Sequence, residues 1–88
     1  MYWECFNIVA SELKTRELFE FGMNLKINPN EFDEIDREKN ISNYQKTYQI
    51  LRLWKQQAGQ KADLEKIIEV LKKLKMLGIA EKLIETLS

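Results

Sequence analysis

The side chains with the most chemistry to offer in this sequence are charged. Asp33, Glu34, Asp36 and Arg37 follow closely on Asn28-Pro29-Asn30-Glu31, and Arg52, Lys55, Lys72 and Lys73 supply positive charge further along. Carboxylates held on one short, rigid element can take charge-assisted hydrogen bonds from a partner's Arg and Lys. That is the chemistry of fast, selective recognition rather than of catalysis. The chain has no His and no glycine-rich phosphate loop, and Cys5 is its one cysteine. Triads, imidazole acid–base chemistry, cysteine metal clusters and an intrachain disulfide are therefore excluded together. Cys5, set between Trp3 and Phe6, reads as a small buried hydrophobe. No enzyme, cofactor or metal site is expected.

The formal net charge is zero, but it is unevenly laid out. Through Glu38 nine acids stand against four bases, a net of −5; from Lys39 onward ten bases stand against five acids, a net of +5. This split describes either two solvated faces of opposite sign or a bipolar module that sets its acidic face on a basic one. Lys72, Lys73 and Lys75 form too short a basic run for nucleic acid, with acids close by and no exposed aromatics interleaved. No apolar run is long enough to span a membrane, and no secretory leader pattern is present, so membrane insertion is not expected and the chain reads as cytosolic.

Positioning those charges requires a core. With 44% hydrophobic residues and 32% charged, the composition is that of a globular domain rather than a disordered one. At 88 residues, with one Pro and three Gly, the chain reads as a single helical domain spanning 1–88. The steps along Tyr44, Thr47, Tyr48, Leu51, Trp54 and Ala58 are three or four residues, one face of a helix. Ser42 with Gln45 forms a capping box at its start, and Gly59 is placed to end it. Ile50 and Leu53 widen the stripe. Leu64, Ile67, Ile68, Leu71 and Leu74 share the face of a second helix, with acids early and Lys72 and Lys73 late as the helix dipole favours. Gly78 is expected to break that run, leaving Ile79, Ala80, Leu83, Ile84 and Leu87 as a last short helix.

In the front half, Tyr2, Phe6, Ile8, Val9 and Leu13 predict a first helix, and Leu18 to Met23 either continue it or restart it. Thr15 is a candidate cap at the bend. Asn28-Pro29-Asn30-Glu31 is a start signal: Asn28 caps, Pro29 suits the first helical position, and Glu31 can reach back to complete the box. Phe32 and Ile35 point inward and the rest of that helix is charged. Five or six amphipathic helices joined by short loops favour antiparallel neighbours in a compact bundle.

These features together resemble a death domain. The Asn30–Ile35 stretch resembles the second helix of death receptors, and Tyr48–Gly59, with Leu51 and Trp54 in a Leu-x-x-Trp followed by Gly59, resembles their fourth. Leu71-Lys72-Lys73, then Leu77 with Ala80-Glu81-Lys82-Leu83, is similar to the fifth and sixth helices, most nearly in the Fas receptor and its tumour necrosis factor receptor relatives, osteoprotegerin included. The likeness runs from Trp3 to Leu87. It implies an all-α, six-helix antiparallel bundle with Greek-key topology. It also implies homotypic association with death domains of receptors or of adaptors of the Fas-associated type, in apoptotic or inflammatory signalling. Self-association in larger assemblies is implied too, and a cytoplasmic site, including the intracellular tail of a transmembrane receptor. A caspase-recruitment or death-effector module is the alternative, followed by a small helical nucleic-acid-binding domain. Asp33 and Glu34 match the pair that faces the adaptor, with Asp36 and Arg37 beside them; Arg52, Lys55, Lys72 and Lys73 are the complementary candidates. Trp54, Leu51, Tyr48, Ile35, Phe32, Ile68, Leu71 and Leu83 are the candidate core.

Overall fold

Apolar residues at helical spacing need helices to bury them, and the computed structural model, which describes residues 1–88, supplies six α-helices and no strand. They are α1 (Tyr2–Glu12), α2 (Leu18–Asn24), α3 (Pro29–Asp36), α4 (Asn43–Ala58), α5 (Leu64–Lys73) and α6 (Leu77–Leu87). Single 3-10 turns stand before α2 and after α4. The packing is non-sequential: α1 lies on both α4 and α6, α2 on α5, α3 on α4, and α5 on α6. First and last helices therefore meet, in a Greek-key bundle of 36 × 26 × 21 Å.

The helix ends show why the chain turns where it does. Asn28 Oδ1 accepts from the Asn30 and Glu31 backbone N–H groups at 2.8 and 3.4 Å, so Asn28 caps α3. Glu31 does not reach back to complete that box; its carboxylate accepts from Gln57 on α4 at 3.4 Å. The Ser42–Gln45 box at the head of α4 is complete, with both reciprocal bonds formed. The front of the chain is two helices, and the death-receptor-like Asn30–Ile35 stretch is the third helix rather than the second. The restart is helped by Glu17, whose carboxylate accepts from the Lys14 N–H at 2.9 Å; Thr15 caps nothing.

Gly78 does not make the break before the last helix, since it lies within the first turn of α6. The break falls at Lys75, with φ of 63°, where Met76 N–H reaches Leu71 C=O at 2.8 Å and Lys75 N–H reaches Lys72 C=O at 3.0 Å. The same closure ends α2 at Lys26, φ 65°, with Ile27 N–H on Gly22 C=O. Both are Schellman closures, which require a left-handed residue just past the helix end, and Gly78 is three positions too late to serve.

One continuous core runs through the bundle. Phe32, Leu51, Trp54, Ile68, Leu71 and Leu83 are buried in it. Tyr48 and Ile35 are half-buried at its edge, not inside it. Tyr48 is held at the rim between the exposed Trp3 and Tyr44 rings. Ile35 stays at the surface because α3 is eight residues long and buries only Phe32.

Two substitutions probe this core in opposite ways. Trp54, 5% exposed and edge-on to Phe6 with centroids 6.3 Å apart, is expected on truncation (Trp54→Ala) to lose ~3–5 kcal/mol, read as a fall in the denaturation midpoint. Gly22→Ala should also destabilise, although Ala is ordinarily the better helix former by about 1 kcal/mol. A Cβ at Gly22 would stand 2.9 Å from two Phe32 ring carbons, and the overpacking penalty of ~1–3 kcal/mol outweighs the propensity gain. A Gly22→Ala protein as stable as the wild type in a urea titration would show that Phe32 can move aside.

Candidate protein-interaction surfaces

The acidic element, α3, is short, capped by Asn28 and anchored to the core by one ring. Its outer face is thus presented to solvent on a fixed backbone. Asp33, Glu34, Asp36 and Arg37 are all exposed, but they are not equivalent. Lys46, on α4, donates its Nζ to the Asp36 backbone carbonyl at 2.7 Å and stands 3.9 Å from the Asp36 carboxylate. That lysine satisfies the carbonyl end of α3, where the helix dipole favours a cation. Arg37 folds back to donate from Nε to the Asp33 carbonyl at 3.3 Å. Asp36 and Arg37 are thereby partly occupied within the chain. The carboxylates of Asp33 and Glu34 are not, since the chain's two ion pairs are Lys46–Asp36 and Lys82–Glu12.

The complementary candidates scatter. Arg52 is exposed on α4, but it lines a shallow α3/α4 groove together with Glu31, Glu34 and Leu53, so its surroundings already carry acid. Ile50, which widens the α4 stripe in the sequence, is fully buried, leaving Leu53 with Ile35 of α3 as the apolar members of that groove. Lys55 is half-buried and not a free cation: its Nζ lies 4.9 Å from the centroid of the Tyr2 ring and 5.8 Å from that of Trp3. Cation–π contact of this kind holds the charge against α1. Lys72 and Lys73 are exposed in the last turn of α5, complementing its dipole.

Sequence reasoning missed an aromatic ledge across α1 and α4. Trp3, 52% exposed, stacks on Tyr48 at 6.5 Å and 17°, and Tyr48 stacks on Tyr44 at 5.9 Å and 29°. The Tyr44 hydroxyl donates to Asn7 on α1. Trp and Tyr in such settings are enriched at interface hot spots. The available signal was Trp3 itself, which falls off the stripe of Tyr2, Phe6, Val9 and Leu13. Its partner Tyr48 is too distant in sequence for any local pattern to reveal.

Other chemistry is sparse. Cys5 is buried, and burial pushes its thiol pKa up, keeping it in the unreactive protonated form. No three acidic or cysteine side chains gather closely enough to hold a metal ion, and no helix is long and apolar enough to cross a membrane.

What the molecule offers is surface for another protein, and comparison with known proteins agrees. The model of the family described as the death domain matches residues 4–87. No curated protein and no solved structure matches significantly. Matched over nearly its whole length and folded as six helices, the chain belongs to the death-domain family, whose members are interaction modules that bind other death-fold domains.

Proposed function

We propose that this domain works in receptor or adaptor signalling of the apoptotic or inflammatory kind, in the cytoplasm. In this reading it docks α3 on the death domain of a partner of the Fas-associated adaptor type. The observation that carries the reading is the pair Asp33 and Glu34, exposed on a capped, rigid helix with no counter-ion in their own chain. The net −5 carried by residues up to Glu38 supports it, and so does the resemblance of the Asn30–Ile35 residues to a death-receptor stretch, although here they form the third helix. A location in the cytoplasmic tail of a receptor fits the same resemblance.

Energetics set the kind of association to expect. Exposed ion pairs contribute ~0.2–1 kcal/mol each, so a face built on two carboxylates binds weakly by itself. Assembly then depends on several such faces acting together, where avidity multiplies small terms. Steep dependence on protein concentration follows.

The charge-reversed protein, Asp33→Lys with Glu34→Lys, should keep its helical circular dichroism because neither carboxylate supports the fold. In a pull-down or sedimentation titration with a death-domain adaptor it should lose binding. The wild type should weaken between low and moderate salt, as charges beyond ~8–10 Å are screened. Undiminished binding by the reversed protein would remove α3 from the interface.

A further inference from the structure

Three bases gather without acids in a groove between the C-terminal ends of α2 and α4 and the outer side of α5. Lys26, Lys61 and Lys66 rim a cleft floored by Leu25, Trp54 and Val70, and no acidic side chain lines it. None of the three lysines is in an ion pair, since those of the chain use Lys46 and Lys82. Its volume, about 290 Å³, lies just under the ~300–1,000 Å³ of small-molecule sites, which suits a single large side chain from a protein surface. A basic rim over an apolar floor calls for an occupant of matching kind: an apolar body with a carboxylate beside it.

The chain itself carries such a group. Phe19 on α2 is 58% exposed, an unusual position for a phenylalanine. Its immediate neighbour is the exposed Glu20. Its ring rests edge-on against Phe32 of α3, centroids 5.5 Å apart, which fixes its orientation on the surface. Trp3 is comparably exposed but already has Lys55 over its ring. Ile84, between Glu81 and Glu85, presents a smaller side chain at 39% exposure.

We infer that Phe19, with the neighbouring Glu20, docks in the Lys26/Lys61/Lys66 cleft of a second copy of this chain. This rests on the homotypic reading above and names a receiving surface for it, Lys55 being held against the Tyr2 and Trp3 rings. The inserted ring gains apolar burial on Leu25, Trp54 and Val70. The lysines meet both the Glu20 carboxylate and the face of the ring. Because knob and cleft are different surfaces of one molecule, the contact is heterologous, so copies add head to tail instead of stopping at a symmetric pair.

Sedimentation velocity on the full 88-residue chain, over a rising concentration series, tests this. The wild type should grow beyond a dimer. Two variants block opposite ends: Phe19→Ala with Glu20→Lys removes the knob, and Lys61→Glu with Lys66→Glu reverses the rim. All four positions are exposed, and circular dichroism checks that the fold is kept. Each variant alone should self-associate roughly tenfold more weakly or not at all. Mixed together they should recover a 1:1 dimer and nothing larger, because each retains the surface that the other lacks. Ile84→Ala should behave as wild type.

A wild type that stays monomeric up to ~1 mM, variants that assemble normally, or a mixture that remains monomeric overturns the inference, ~1 mM marking the weak end of measurable affinity. So does a rim reversal that abolishes binding of a short single-stranded oligonucleotide while leaving self-association intact, which would assign the cleft to nucleic acid. The α3 reading has its own readout. If rim and knob variants assemble normally while Asp33→Lys with Glu34→Lys loses the adaptor, only the cleft is wrong. If the mixture recovers the dimer while that reversal leaves adaptor binding intact, only the adaptor docking is wrong.

Discussion

The structure depends on one ring. Phe6, fully buried, meets Tyr2, Trp3, Tyr48 and Trp54 edge-on at centroid distances of 5.6 to 6.3 Å, drawing residues of α1 and α4 around a single point. Edge-to-face pairs are worth ~0.5–1.5 kcal/mol beyond their buried area. They also fix orientation, which aliphatic packing alone does loosely. With Phe6 seated, α1 is held on α4, Val9 and Ala10 bury along the same helix, and α6 closes on its other side. Polar contacts follow that placement rather than cause it. The Tyr2 hydroxyl donates to the Ala62 carbonyl, and Lys82 meets Glu12 at 2.6 Å across α6 and α1. That ion pair is exposed, so its ~0.2–1 kcal/mol tunes the seam without making it.

The distribution of function follows from where this seam is. α1, α4, α5 and α6 each bury three or more residues, while α3 buries Phe32 alone. A helix tied to the core at one residue has nearly all its surface free, and in this chain that surface is acidic. Lys46 and Asn28 satisfy its two ends, so the helix is rigid despite its light attachment. Rigidity matters because carboxylates presented in fixed positions lose little entropy when a partner takes them. α2 is better anchored, with Leu18, Phe21 and Gly22 buried, yet it leaves Phe19 outside.

Helix existence was legible wherever capping chemistry and periodicity agreed, as in α3 and α4, and from periodicity with dipole-matched charges in α5. Boundaries were legible only where the closing residue was the conventional one. Gly59 ends α4 with φ of 59°, as glycine does readily. Lys26 and Lys75 adopt φ values that non-glycine residues rarely take, and nothing local in the sequence marks them. Gly78 misleads for the complementary reason, being a glycine inside a helix. Core membership read from a helical stripe also overshot at Tyr48 and Ile35, because periodicity tells which side faces inward but not how far the neighbouring helix extends over it. Charge was legible as a total and as a split, yet not as a surface. Lys26, Lys61 and Lys66 belong to three segments that only the bundle brings together.

That last point bears on how such a domain can be specific while each of its contacts is weak. A single helix carrying acids attracts any basic surface, and the net charge of the chain is zero, so long-range attraction does not choose among partners. Discrimination has to come from short-range features that a wrong partner cannot match. An apolar floor that must be filled, lysines that must be neutralised and an aromatic ledge with fixed stacking each penalise a poor fit through desolvation or an unfilled cavity. In the proposed contacts the exposed aromatics serve selection as well as affinity.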